Sequence, residues 1–217
     1  MKQLPRLSIV SVAVLGCIGI LHADQMSGSN LLPYAVRIVH GDQNAPNRVP
    51  HTGNAGIYLG QGLVLTAAHV AGVPPYAKPL MVLAGDRLLP ATVVKAGDYE
   101  TIDVTLLSVA RSSLPPTLAN LTPLELCQSS PTLGQSVTVI EYASATSSVI
   151  ISPDVLPPSV SYALSTLIAD VYTTGNSGSG VFDDASGCLM GIMSRKIERL
   201  IVTNDAPIRA DFDRRES

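Results

Sequence analysis

Apolar residues recur along this chain in short runs rich in valine, isoleucine and leucine, each cut off by glycine, proline or aspartate. That texture predicts β-strands, because β-branched side chains suit a pleated surface and Gly, Pro and Asp interrupt it. Residues 33–39 open the series. Residues 55–59 and 63–66, joined by Gly60-Gln61-Gly62, read as a hairpin whose second strand delivers His69 beyond its end. Further strands are expected over 80–84, 92–96 and 104–109. Residues 111–123 hold three prolines and little periodicity, as a crossing between two halves would. The texture then repeats over 136–142, 159–172, 180–182, 189–194 and 200–203. Many short strands separated by turns predict an all-β sandwich or barrel. Helix-start character is confined to the tail, where Asp205 is a cap and Pro207 fits a first turn, giving a short C-terminal helix to about residue 214.

Three segments stand out against this background. The turn Gly175-Asn176-Ser177-Gly178-Ser179-Gly180 would expose one serine hydroxyl beside converging backbone N–H groups. Taken alone, such a run marks an ordinary turn. Upstream lie Thr66-Ala67-Ala68-His69, with two small side chains beside the histidine, and Asp103-Val104-Thr105-Leu106-Leu107, where an acid opens an apolar strand. A serine hydroxyl needs a base to take its proton, an imidazole can serve, and a buried carboxylate fixes the imidazole tautomer. His69, Asp103 and Ser177 in that order are the parts of an acyl-transfer triad, with the N–H groups of Gly175 and Ser177 as the oxyanion hole. His22, His40 and His51 receive no role.

With these motifs the chain resembles the trypsin-like, chymotrypsin-fold serine proteases, nearest to the secreted bacterial branch that includes glutamyl endopeptidases. The similarity covers about residues 32–212. The resemblance implies two six-stranded antiparallel β-barrels with the active site between them. His69 and Asp103 would come from the first (about 32–110) and Ser177 from the second (about 126–212), with 111–125 crossing over. Ser194, in Gly191-Ile192-Met193-Ser194, matches the family's serine that hydrogen-bonds the catalytic aspartate and lines the substrate backbone. Two departures matter. The residue before the nucleophile is Asn176, which has no charge to hold a new N-terminus, so cleavage at Arg37-Ile38 is not expected to activate the chain. Six residues before Ser177 stands Val171, where relatives specific for basic residues carry aspartate; Asp170 is adjacent but would point to the opposite face. Tyr172 and Thr173 are expected in the pocket wall with Val171, while Arg195 and Lys196 either favour an acidic substrate residue or face solvent.

Composition narrows the setting. The 217 residues carry a net charge of −3 and 46% hydrophobic residues, enough for one sizeable core in two lobes. No basic stripe is present, so nucleic acid is not an expected partner. A protein or peptide substrate is, and a monomer is expected. No histidine or cysteine spacing suits a metal, so neither a metal nor another cofactor is expected. Lys2 and Arg6, the apolar run 7–21 and Leu21-His22-Ala23 together form an export signal over 1–23, leaving 24–217 as one protease domain, secreted or periplasmic. Val14-Leu15-Gly16-Cys17 resembles a lipoprotein signal, and membrane attachment is expected only if Cys17 is acylated. Cys127 and Cys188 then allow one internal disulfide or two free thiols. Two other functions use the same residues: a catalytically silent binding protein on this scaffold, or a serine hydrolase acting on esters. The ester-hydrolase elbow Gly-x-Ser-x-Gly is absent around Ser177.

Overall fold

Strand register, more than local propensity, builds this molecule. The computed structural model describes residues 28–41, 54–72, 79–156, 166–169, 177–194, 198–199 and 210–211. Strands β1 (Ala35–His40), β2 (Ala55–Gly60), β3 (Leu63–Thr66), β4 (Leu80–Ala84), β5 (Arg87–Lys95) and β6 (Thr105–Val109) close into a barrel in the order β1-β2-β3-β6-β5-β4. All its neighbours are antiparallel. The second half forms a five-stranded sheet, order β11-β10-β7-β8-β9, from β7 (Ser136–Ile140), β8 (Ala145–Ile151), β9 (Leu167–Ile168), β10 (Gly180–Asp183) and β11 (Leu189–Ile192). A separate pair joins β12 (Glu198–Arg199) to β13 (Ala210–Asp211). The expected all-β, chymotrypsin-like two-barrel architecture is therefore present, its first barrel closed and its second traced by an open sheet among the described residues. No helix among the described residues is long and apolar enough to cross a membrane.

The differences from expectation have local causes. Pro90 does not end a strand, because β5 changes partner there. Residues up to Pro90 pair with β4 and those from Ala91 pair with β6, so a missing N–H costs least at that point. Strand β8 was not expected from its serines, yet all five residues of β7 find partners on it. Its faces alternate, with Ile150 buried and Val149 exposed, which a serine-rich run hides. In the crossing, prolines start a helix instead of only breaking one. Pro116 opens a short helix (Pro116–Ala119), and Leu114 and Leu118 are buried against the main core. Within the expected C-terminal helix, Ala210–Asp211 are extended and paired with β12, so the helix is corrected there. Cross-strand partners satisfy the backbone better than a cap and an early proline can. Cys127 and Cys188 form a disulfide with α-carbons 5.1 Å apart, fastening the end of the crossing to the start of β11. Residues 200–203, the signal segment with Cys17, and most of 159–172 lie outside the described residues.

Burial shows how the two halves meet. One core gathers Val36, Ile57, Val64 and Leu107 of the first barrel with Ile140, Phe182 and Leu189 of the second half. A smaller one holds Val137, Val139, Ile150 and Val181. Neighbouring residues of β7 and β10 point to opposite faces, so Val181 fills the second barrel while Phe182 fills the seam. At the seam, Ala55 N–H donates to the Ser177 carbonyl at 2.9 Å and Leu124 N–H to the Leu59 carbonyl at 3.0 Å. Gly178, at φ +89°, lies so close to β2 that an added Cβ would stand 2.0 Å from the Ala55 carbonyl oxygen and 2.6 Å from Thr66 Oγ1.

Two outcomes follow from this packing. Arg37 is paired on both sides, to Ala55 and to Leu83. An arginine-directed protease should therefore leave the Arg37–Ile38 bond of the folded chain intact, and N-terminal sequencing of the mature active protein should not begin at Ile38. Gly178→Ala should lower unfolding free energy by about 2–4 kcal/mol, measured by denaturant titration, because a backbone contact must open and φ is positive.

Candidate active site

The histidine is positioned from the end of β3. Thr66 donates its hydroxyl to the Ala55 carbonyl at 2.6 Å, Ala67 is extended, and the chain turns into a short helix (Ala68–Ala71), which ends at Gly72. Ala67 and Ala68 are buried and small, so the turn packs close while the His69 side chain stays about one-third exposed. His40 Nε2 donates to the Val70 carbonyl at 2.9 Å, tying the end of β1 to the same short helix.

Asp103 arrives from the loop between β5 and β6. Asp98 Oδ1 accepts from the N–H groups of Glu100 and Thr101, at 2.9 and 3.1 Å, and so folds the turn. Gly97 N–H donates to Thr105 Oγ1 at 3.0 Å and pins the loop to β6. The carboxylate is buried and accepts three donors. His69 N–H reaches Oδ1 at 3.0 Å, His69 Nδ1 reaches Oδ2 at 2.8 Å, and the Ser194 hydroxyl reaches Oδ2 at 2.5 Å. Burial pushes the Asp103 pKa up, but the bonds from the His69 ring, Ser194 and the His69 backbone outweigh it and hold the carboxyl below its ordinary value. An ionised carboxylate only accepts, so Nδ1 carries a proton, and in the neutral ring the lone pair then lies on Nε2.

Ser177 sits half-buried at the edge of the second sheet, on a turn held by Gly178 N–H to the Met193 carbonyl, 2.7 Å, and Met193 N–H to the Ser179 carbonyl, 2.8 Å. Its hydroxyl donates to the Ser194 carbonyl at 3.1 Å and makes no hydrogen bond to the His69 ring. Ser194 thus touches both ends of the expected triad, its hydroxyl on Asp103 and its carbonyl on Ser177. The structure brings His69, Asp103 and Ser194 into direct contact and ties Ser177 to them through Ser194. Gly175, Asn176, Val171, Tyr172 and Thr173 lie outside the described residues, as do Asp170, Arg195 and Lys196.

One neighbour was not singled out from sequence. Tyr99 meets the His69 ring edge-to-face, with centroids 5.3 Å apart and planes at 73°. The available signal was an aromatic residue inside the polar turn Gly97-Asp98-Tyr99-Glu100. Ser179 is fully buried with an unpartnered Oγ beside the serine turn. Among the described residues, no group of three or more His, Cys, Asp or Glu side chains is placed to hold a metal ion. The arrangement orients the His69 imidazole through Asp103, a geometry suited to proton transfer at Nε2.

Solved structures share the fold at low sequence identity. Kallikrein-related peptidase 10 is similar in fold at 24% identity, with 76% of this chain and 81% of that chain covered and a TM-score of 0.55. The same peptidase in complex with Zn2+ gives 24% identity, 84% and 88% coverage, and a TM-score of 0.55. Rv3671c protease from M. tuberculosis, active form, is 20% identical over 88% of this chain and 82% of that chain, with a TM-score of 0.47. No match is found among curated proteins. The family described as trypsin-like peptidase domain matches residues 54–192, well over half of the chain. That span takes in the histidine turn, the aspartate loop and the serine turn together, and the chain belongs to the trypsin-like peptidase domain family.

Proposed function

We propose that this chain is an exported serine endopeptidase that hydrolyses peptide bonds through His69, Asp103 and Ser177 by way of an acyl-enzyme. The observation that carries the reading is the two-pronged grip of Asp103 on the backbone and ring of His69, which leaves Nε2 as a free base. In the first half-reaction Ser177 Oγ attacks the substrate carbonyl while its proton passes to His69 Nε2. The N–H groups of Gly175 and Ser177 receive the oxyanion, and the imidazolium gives its proton to the departing amine. Water, deprotonated in turn by Nε2, then attacks the ester and restores the serine. The substrate is a protein or peptide, and the N-terminal signal pattern supports action outside the cytoplasm, in a secreted or periplasmic form. Asn176 and the position of Arg37 within β1 both support activity without release of a new N-terminus. Val171 supports a preference other than for basic residues.

A second reading has one observation in its favour. The Ser177 hydroxyl rests on a carbonyl and not on the base, as it would in a silent binding protein. Labelling with a fluorophosphonate separates the two. A peptidase is labelled at Ser177, hydrolyses casein, and loses at least about 10⁴-fold in kcat in Ser177→Ala. An unlabelled chain that still binds peptide is the silent protein.

The carboxylate also sets a pH dependence. The folded pKa of Asp103 lies below the ordinary value of 3.8, so its stabilisation is fully present above that value and is lost as pH falls through the folded pKa. Asp103→Asn should be less stable than the parent near neutrality, and thermal melts should show the gap narrowing below pH 3.8. Activity of the same variant at neutral pH should fall roughly 10⁴-fold, because the amide no longer enforces the Nδ1–H tautomer.

A further inference from the structure

His69 follows a strand of the first barrel and Ser177 precedes a strand of the second half, so their spacing depends on how the halves are held. One strand reaches toward both. β1 is paired along its length, Ala35 to Arg37 with β2 and Arg37 to His40 with β4. Val36, Ile38 and Val39 are buried between those neighbours. A strand bonded on both sides moves only by breaking ladder bonds, so β1 is stiff.

Its contacts grip opposite sides of the site. The Arg37 guanidinium lies 4.5 Å from the centre of the Tyr142 ring, within cation–π range. The Tyr142 hydroxyl donates to the Gly85 carbonyl at 3.0 Å, in the turn between β4 and β5. Tyr142 stands just beyond β7, whose Ile140 is paired with Gly180 at the start of β10, close after Ser177. Arg37 is also paired with Ala55, whose N–H donates to the Ser177 carbonyl at 2.9 Å. At the other end of the strand, the His40 ring bonds the Val70 carbonyl at 2.9 Å, beside His69 on its short helix. Arg37 and His40 lie on opposite faces of β1, about 10 Å apart along it. A chain of direct contacts therefore runs from the serine's sheet through Tyr142, Arg37 and His40 to the histidine.

Resting on the peptidase reading above, we propose that β1 is a strut that sets the spacing of His69 and Ser177, with Arg37, Tyr142 and His40 as positioning residues. Each acts through a neighbour and not on the reacting atoms. Their effect falls on the approach of base to nucleophile, where a misplacement of about 1 Å can cost 10²-fold in rate. The two joints act in series. Losing either one frees the strut, and losing the second then adds little.

Tyr142→Ala removes the ring and the hydroxyl, and His40→Ala removes the bond to Val70. Each should lower kcat about tenfold and leave KM within about twofold, because approach changes and peptide binding does not. Tyr142→Phe keeps a ring under the guanidinium, and His40→Gln keeps a donor for the Val70 carbonyl. Both should therefore lose no more than about threefold. The double alanine variant should again lose about tenfold, whereas independent effects would multiply to about a hundredfold. Amide hydrogen exchange gives a second readout that needs no turnover. The Ala55 amide, bonded to the Ser177 carbonyl, should exchange about tenfold faster in Tyr142→Ala while the amides of β6 keep their protection. A hundredfold loss in the double variant, alanine variants as active as their conservative counterparts, or unchanged exchange at Ala55 would overturn the strut while leaving a functioning peptidase. Faster exchange at Ala55 in a chain whose parent neither hydrolyses casein nor takes up the fluorophosphonate would support the strut and sink the peptidase reading alone.

Discussion

Asp103 has two carboxylate oxygens and takes three hydrogen bonds on them, two from His69 and one from Ser194, which lie on opposite halves of the chain. Burying a carboxylate costs several kcal/mol unless donors replace its water. Each charge-assisted bond contributes about 1.5–3 kcal/mol, so three donors offset that cost and two would do so less securely. The Ser194 donor from the second half thus helps keep the buried carboxylate ionised, and the ionised carboxylate orients the imidazole. The site and the docking of the barrels depend on one another.

The seam is built to meet that demand. Ala55 is paired to Arg37 in β1, accepts the Thr66 hydroxyl, and donates to the Ser177 carbonyl. One residue at the start of β2 therefore joins the strand before the histidine to the turn that carries the serine. Gly178 and Gly180 allow this approach because side chains there would strike the Ala55 carbonyl and Ile57. The glycines that looked like turn formers in the serine motif are also the contact surface between barrels. Phe182, two residues on, fills the shared core and keeps the distance fixed.

Much of the fold was legible because the signals were local. The hairpin over Ala55–Gly60 and Leu63–Thr66 shows in its glycine turn, and β4, β6 and β10 show in their apolar runs. Strand β8 was not legible, since its serines look like loop until β7 supplies partners. Pro90 misled for a related reason: whether a proline breaks a strand depends on which neighbour the missing N–H would have faced. The expected helix at the tail gave way at Ala210–Asp211 to pairing with Glu198–Arg199, a contact of a kind that sequence periodicity does not encode. Within the site, His69, Asp103 and Ser194 were legible from short motifs, whereas Tyr99 became visible only when its loop folded over the histidine.

The sequence by itself determined the all-β texture, the order of histidine, acid and serine, and the small residues that let those turns pack closely. These are properties of spacing and side-chain size, which the chain carries before it folds. Tertiary structure decided the rest: that Asp103 is buried yet charged, that Nδ1 bears the imidazole proton, that Cys127 meets Cys188, and that the Ser177 hydroxyl rests on Ser194. Each of those depends on distances of a few ångströms between residues far apart in the chain, and only the closing of strands against one another sets such distances.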